Sequence, residues 1–153
     1  RDAGVDPALV SYYFGSKSGL FVESLRLPVN PADAIDALLA EGTDDLGARL
    51  VTRFLKVWDN PVTGNPLISV LRAASSQPEV LREFVERQII PRFARAIEEP
   101  DSELRATAVA TQILGLAFAR YVLRVEPLAS APPQAIVSLI APSLQRYFDG
   151  LPS

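Results

Sequence analysis

The chain contains neither cysteine nor histidine among its 153 residues. Without cysteine it can form no disulfide and no thiolate metal site, and it has no thiol nucleophile. Without histidine it lacks the commonest metal ligand and the commonest general base near neutral pH. We therefore expect no catalytic residues, no metal and no cofactor.

The acidic pairs of the sequence do not change that expectation. Asp44-Asp45 and Glu98-Glu99 fall at predicted helix ends, where carboxylates favour solvent or the helix dipole, and no base or nucleophile accompanies them. An enzyme stays an alternative that measurable turnover of a bound compound would favour.

A basic patch and strand signals are also missing. The 15 Lys+Arg against 18 Asp+Glu give a net charge of -3, and the charges within residues 1–28 balance, so charge alone does not indicate nucleic-acid binding. Short alternating apolar runs are absent, which argues against strands. A hydrophobic content of 48% is ordinary for a globular chain.

What the sequence does contain is one helical pattern after another. Apolar residues recur at spacings of three and four, and prolines fall between these runs, which predicts an all-α fold. We also predict a turn at 60–66, a capping box joining Ser76 to Glu79, and bends near Pro91 and Pro142. The predicted helices cover residues 7–13, 16–27, 31–39, 45–58, 67–74, 78–98, 106–123 and 133–148.

The run at 106–123 is apolar almost all round. A membrane span is rejected because Gln112 and Arg120 would lie in hydrocarbon. Thr111, Gly115 and Ala119 follow one another at intervals of four, and this ridge of small side chains lets another helix approach closely.

We therefore predict a two-fold symmetric dimer through segments 101–125 and 133–148, which Gly115→Arg should disrupt. A helix buried inside a monomer remains the alternative. The predicted interface residues are Thr111, Gly115, Ala119, Ile136, Ile140 and Leu144.

The densest local motif lies between Gly4 and Phe21, in the stretch GVDPALVSYYFGSKSGLF. A glycine turn followed by a helix start at Asp6-Pro7 is typical of the second half of a helix-turn-helix. The segment YYFGSKSGLF within it resembles the DNA-binding domain of the TetR family of transcriptional regulators.

The resemblance implies a cytoplasmic homodimer that binds duplex operator DNA, with an N-terminal helix-turn-helix domain and a larger helical domain for ligand binding and dimerisation. It places the domains at 1–28 and 29–153 and makes the protein a ligand-responsive repressor without a membrane partner. Since the chain opens on Arg1 without an initiator methionine, we expect the first helix and most of the second to be absent. A helical protein-protein interaction module without DNA binding is the alternative. The DNA-contacting residues carried over from the family are Pro7, Ala8, Ser11, Tyr12, Tyr13 and Lys17.

A small-molecule effector then needs a cavity in the larger domain. Aromatic residues at helical spacing could line it, with Arg72 or Gln112 as polar anchors. For any single aromatic residue we favour core packing over a cavity role. The candidates for the ligand pocket are Phe54, Trp58, Leu71, Arg72, Phe84, Gln112 and Tyr121.

Overall fold

The computed structural model describes residues 27–150, and within this range the chain is helical without strands, as the sequence predicted. Two π-helical turns, Val85–Ile89 and Phe118–Val122, interrupt or extend the helices. The α-helices are α1 Pro31–Leu39, α2 Leu46–Asp59, α3 Pro61–Ala74, α4 Pro78–Phe84, α5 Ile90–Ala94, α6 Ser102–Ala117 and α7 Pro133–Asp149. The predicted helices at 7–13 and 16–27 lie outside the described residues, apart from Leu27.

Two asparagines set the starts of α1 and α3. The Asn30 carboxamide accepts a hydrogen bond from the Ala32 N–H at 2.9 Å, and Asn60 does the same for Val62 at 2.9 Å. Each is followed by a proline, whose ring already has the φ that a helix start needs. The predicted bounds of α1 are confirmed.

The predicted turn at 60–66 is wrong, because this segment is the beginning of α3. Asn60 both ends α2 and caps α3, so a single residue makes the connection. Gly64 permits this tight arrangement, since a Cβ there would collide with the Trp58 carbonyl oxygen. Turn and helix-start chemistry use the same residue types, which explains the error.

The predicted capping box at the start of α4 is also wrong. The Ser76 hydroxyl donates to the Ala73 carbonyl at 2.8 Å and so belongs to the end of α3. Gln77 occupies the N-cap position and makes no side-chain cap hydrogen bond. The helix nevertheless begins at Pro78, as predicted.

The long helix expected at 78–98 is divided in two. The π-helical turn Val85–Ile89 separates α4 from α5 just before Pro91, where a bend was expected, and α5 ends at Ala94. At the other predicted kink, Pro142 lies inside a continuous α7.

The core forms where α2 packs along α7, with α6 packed against α5 and α7. Gly47 lies at the closest approach of α2 and α7, and its N–H donates to the Gln145 side-chain oxygen at 2.7 Å. The most buried large side chains are Leu46, Val51, Leu55, Phe93, Val109, Ile136 and Leu144. Within residues 27–150, no helix has both the length and the apolar character needed to cross a bilayer.

Candidate functional site

A cavity of about 540 Å³ lies between α1, α2, α3, α4 and α6. This volume is within the range of about 300–1,000 Å³ that small-molecule sites occupy. Apolar side chains from all five helices face it, and they include Ile35, Leu50, Phe54, Trp58, Leu67, Leu71, Leu81, Phe84 and Ile113.

The α2 side of the cavity is a strip of large side chains. Leu50, Phe54 and Trp58 recur every four residues, so they share one face of the helix. The Phe54 and Trp58 rings stack with centroids 5.1 Å apart. Trp58 is the single tryptophan of the chain, so its fluorescence would report on whatever enters the cavity.

A polar network lies next to this aromatic strip. The Arg120 guanidinium donates to the Asp59 carboxylate at 3.2 Å and to the Leu128 and Ala131 carbonyls at 2.8 and 3.0 Å. The Tyr121 hydroxyl donates to the same carboxylate at 2.7 Å. The network therefore ties the end of α2 to the connection between α6 and α7.

Arg120 is 9% exposed, and its donors are shared among these acceptors. Burial, reinforced by the hydrogen bond to Asp59, raises the pKa of Tyr121 well above its usual value, because both favour the neutral phenol. No side-chain polar atom that is fully buried among the described residues lacks a hydrogen-bond partner.

Sequence reasoning missed this network. Arg120 was noticed only as a polar interruption of the apolar run. A cation within such a run signals a buried partner, because burying an unpaired charge is costly. The sequence does not identify that partner, because Asp59 lies 61 positions from Arg120.

Four of the predicted pocket residues, Phe54, Trp58, Leu71 and Phe84, line the cavity. Leu71 is also part of the buried core, while the three aromatic residues are partly buried.

The other three predicted pocket residues are not among the residues that line the cavity. Arg72 lies exposed on α3. Gln112 donates its amide to the Tyr147 hydroxyl at 2.9 Å. The Tyr121 ring packs against Trp58 with centroids 5.4 Å apart but is held in the core by its hydroxyl. Neither of the polar anchors expected from the sequence, Arg72 and Gln112, is therefore among the described residues that line the cavity.

The charged residues that do line the cavity, among those described, are Arg53 and Lys56 on α2. The Arg53 guanidinium forms an ion pair with Glu41 at 2.5 Å. Lys56 is exposed and has no ion-pair partner within the described part of the chain.

The residues predicted for a dimer interface divide into two groups. Thr111 and Gly115 are exposed on α6, and a Cβ built on Gly115 would meet no atom within 4 Å. Ala119 and Ile140 are partly buried.

Ile136 and Leu144 differ, because they are 2% and 0% exposed within their own chain. They are core residues of the single chain and leave no surface for a partner. Side chains that would offer apolar surface on the same two helices are Leu104, which is 71% exposed, and Leu139, which is 79% exposed. We use the name α6/α7 face for these exposed residues of the two helices: Leu104, Thr111 and Gly115 on α6, and Leu139 on α7.

The predicted DNA-contacting residues lie outside the described part of the chain. They are Pro7, Ala8, Ser11, Tyr12, Tyr13 and Lys17.

Known proteins with a similar sequence or structure share this helical fold. A family model described as the tetracyclin repressor-like C-terminal domain matches residues 44–148. The crystal structure of a TetR-family regulator from Streptomyces coelicolor A3 is similar, with a TM-score of 0.63 and 32% sequence identity over 96% of this chain and 78% of that chain. No protein with a curated description matches at comparable significance. The chain therefore belongs to the TetR family of transcriptional regulators.

Proposed function

We propose that the chain is a ligand-responsive repressor, which acts as a homodimer on a pseudo-palindromic operator and responds to a small molecule held in the cavity. The observation that carries this proposal is the cavity of about 540 Å³, lined almost entirely by apolar side chains, most of which lie in the region that the family model matches. A tightly filled interior would have left an effector nowhere to bind.

The contacts around the cavity support a response to occupancy. α2 borders the cavity along one side and packs against α7 along the other. A ligand that displaces Phe54 or Trp58 would therefore press on a helix whose far side is fixed to α7. Through this helix, occupancy could be coupled to a change elsewhere in a dimer.

The DNA-binding part of the proposal depends on the segment YYFGSKSGLF. The test is a binding assay of the full-length protein against its own upstream DNA at several salt concentrations, with scrambled DNA as the control. We expect specific binding, and Lys17→Ala should weaken binding to all sequences and lower the salt slope by about one, as loss of one phosphate contact does.

Ser11→Ala is the matched variant, since its side chain is expected to face bases. It should change which sequence is preferred and leave the salt slope unchanged. Equal affinity for both DNAs would contradict the proposal and favour the helical interaction module.

The dimer part of the proposal rests on the α6/α7 face. A Cβ at Gly115 would meet no described atom outside its own helix backbone within 4 Å, so the fold of the single chain can accept Gly115→Arg. A two-fold interface would meet the substitution twice. Sedimentation should therefore show a dimer for the wild type and a monomer or aggregate for Gly115→Arg.

The control for that experiment is Val62→Arg. Val62 is 76% exposed on α3, which contributes no residue to the α6/α7 face, so the same added charge should leave the dimer intact. A wild-type monomer at micromolar concentration would remove the dimer from the proposal.

A further inference from the structure

The cavity has a charge of one sign at its border. Among the described residues that line it, each charged side chain is a cation, and both cations come from one turn of α2. Arg53 and Lys56 are three positions apart, so they lie on the same side of the helix.

The two cations are not equivalent. Arg53 forms an ion pair with Glu41, a carboxylate that also lies 3.9 Å from Arg49. Lys56 has no such partner within the described residues. Because Lys56 is exposed and also lines the cavity, it marks a place where the apolar space meets solvent.

Asp59, three positions after Lys56 on α2, is already hydrogen-bonded to Arg120 and Tyr121.

Two carboxylates on other helices around the cavity do not line it. Asp36 on α1 forms an ion pair with Arg92 at 3.0 Å, and it does not line the cavity. Glu83 on α4 lies 3.7 Å from Arg87 and likewise is not among the described lining residues. A ligand with a negative group beside Lys56 would therefore meet an unshared positive charge.

We infer that the cavity takes an amphipathic monocarboxylate, with its apolar body among the side chains of α1 to α4 and its carboxylate beside Lys56. This inference rests on the proposed function and specifies the class of its effector. The apolar body supplies affinity through burial of its surface. The carboxylate stays at the solvent side, so it does not incur the cost of a fully buried charge.

A single carboxylate fits better than a phosphate. Phosphate recognition uses several donors, often a bidentate arginine or a row of backbone N–H groups. Among the described residues that line the cavity, Lys56 is unpaired and Arg53 is already paired with Glu41. A single unpaired cation among the described lining residues thus favours a ligand with one negative charge.

The test compares three probes of equal chain length: decanoate, decan-1-ol and decylammonium. Binding to the full-length protein is followed by Trp58 fluorescence and by calorimetry at low salt. We expect decanoate to bind about two- to fivefold more tightly than decan-1-ol, the size of effect that an exposed ion pair supplies. Decylammonium should bind most weakly, because it meets like charge.

Variants at Lys56 assign the preference to this side chain. Lys56→Gln should remove the advantage of decanoate over decan-1-ol and leave decan-1-ol binding unchanged, while Lys56→Arg should retain it. Arg72→Gln is the matched control, since it removes an exposed cation that does not line the cavity. It should leave all three affinities unchanged.

The outcomes separate this inference from the proposed function. Equal affinities for the three probes, or a preference for decanoate that survives in Lys56→Gln, would overturn the inference, as would the absence of decanoate binding. Operator binding by the same protein preparation is measured in parallel. If the protein binds its operator specifically but shows no preference for decanoate, the proposed repressor function stands and its effector belongs to another chemical class.

Discussion

The two long sides of α2 differ in how tightly their side chains are packed. One side packs against α7, and Val51 and Leu55 on α2 are at most 1% exposed. The other side carries Phe54 and Trp58, which stay partly buried beside the cavity. Both sides have the same apolar character and the same helical spacing.

The difference comes from what faces each side. α7 contributes buried residues along its length, including Ile136, Leu144 and Phe148. By contrast, α4 and the π-helical turn that follows it contain no buried residue. Apolar periodicity therefore indicates which residues face inward, but the partner helix decides whether they meet a packed core or a cavity.

The largest expected effect tests this contrast directly. Leu144→Ala on the packed side should lower the free energy of unfolding by about 2–5 kcal/mol, because it opens a void among residues that cannot collapse. Leu81→Ala at the cavity should cost less than about 1 kcal/mol, since Leu81 is partly buried and already borders open space. Urea denaturation at one fixed protein concentration measures both, and equal losses would contradict the division.

A second pair of variants tests how tightly α2 approaches α7. A Cβ on Gly47 would lie 2.5 Å from the Ala141 carbonyl oxygen and 2.9 Å from the Gln145 nitrogen. These are backbone atoms, so Gly47→Ala must push the two helices apart at a cost of about 1–3 kcal/mol. The free energy of unfolding, again from urea denaturation, is the readout.

Gly115→Ala is the control for Gly47→Ala. The same methyl group meets no atom of the chain on α6, and replacing a helical glycine favours the helix by up to about 1 kcal/mol. If Gly115→Ala lowers the free energy of unfolding only at concentrations where the chain self-associates, the loss arises from contacts at the α6/α7 face. A loss at all concentrations would contradict the open surface at Gly115.

The smallest expected effect concerns the network at the end of α2. Tyr121→Phe keeps the ring and removes the hydrogen bond to Asp59, which should cost about 1 kcal/mol near neutral pH. The raised pKa of Tyr121 in the folded state means that its contribution is complete below the usual tyrosine pKa of about 10 and is lost as pH rises above it. Above that pH the unfolded chain releases the proton while the folded chain keeps it.

The wild type should accordingly lose stability more steeply than Tyr121→Phe above pH 10. Urea midpoints for both proteins at a series of pH values between 8 and 11 provide the measurement. Parallel pH dependence in the two proteins would show that burial and the Asp59 hydrogen bond do not control this titration.

Much of the helical architecture was readable from local sequence. The predicted helix at 31–39 agrees with α1, and the predictions at 45–58 and 133–148 differ from α2 and α7 by one residue at the ends. Caps, prolines and apolar periodicity are local signals, so a short window contains them. The helix-start chemistry of Asn60 was misread because a turn uses the same residues.

The sequence by itself determined the all-helical fold and, through YYFGSKSGLF, the resemblance that the comparisons confirmed as family membership. Only the tertiary structure decided that Leu144 is core, that Phe54 borders a cavity, and that Arg120 pairs with Asp59 across 61 positions. The physical reason is that helix formation depends on neighbours in sequence, whereas burial, cavity volume and charge pairing depend on which helices meet in space.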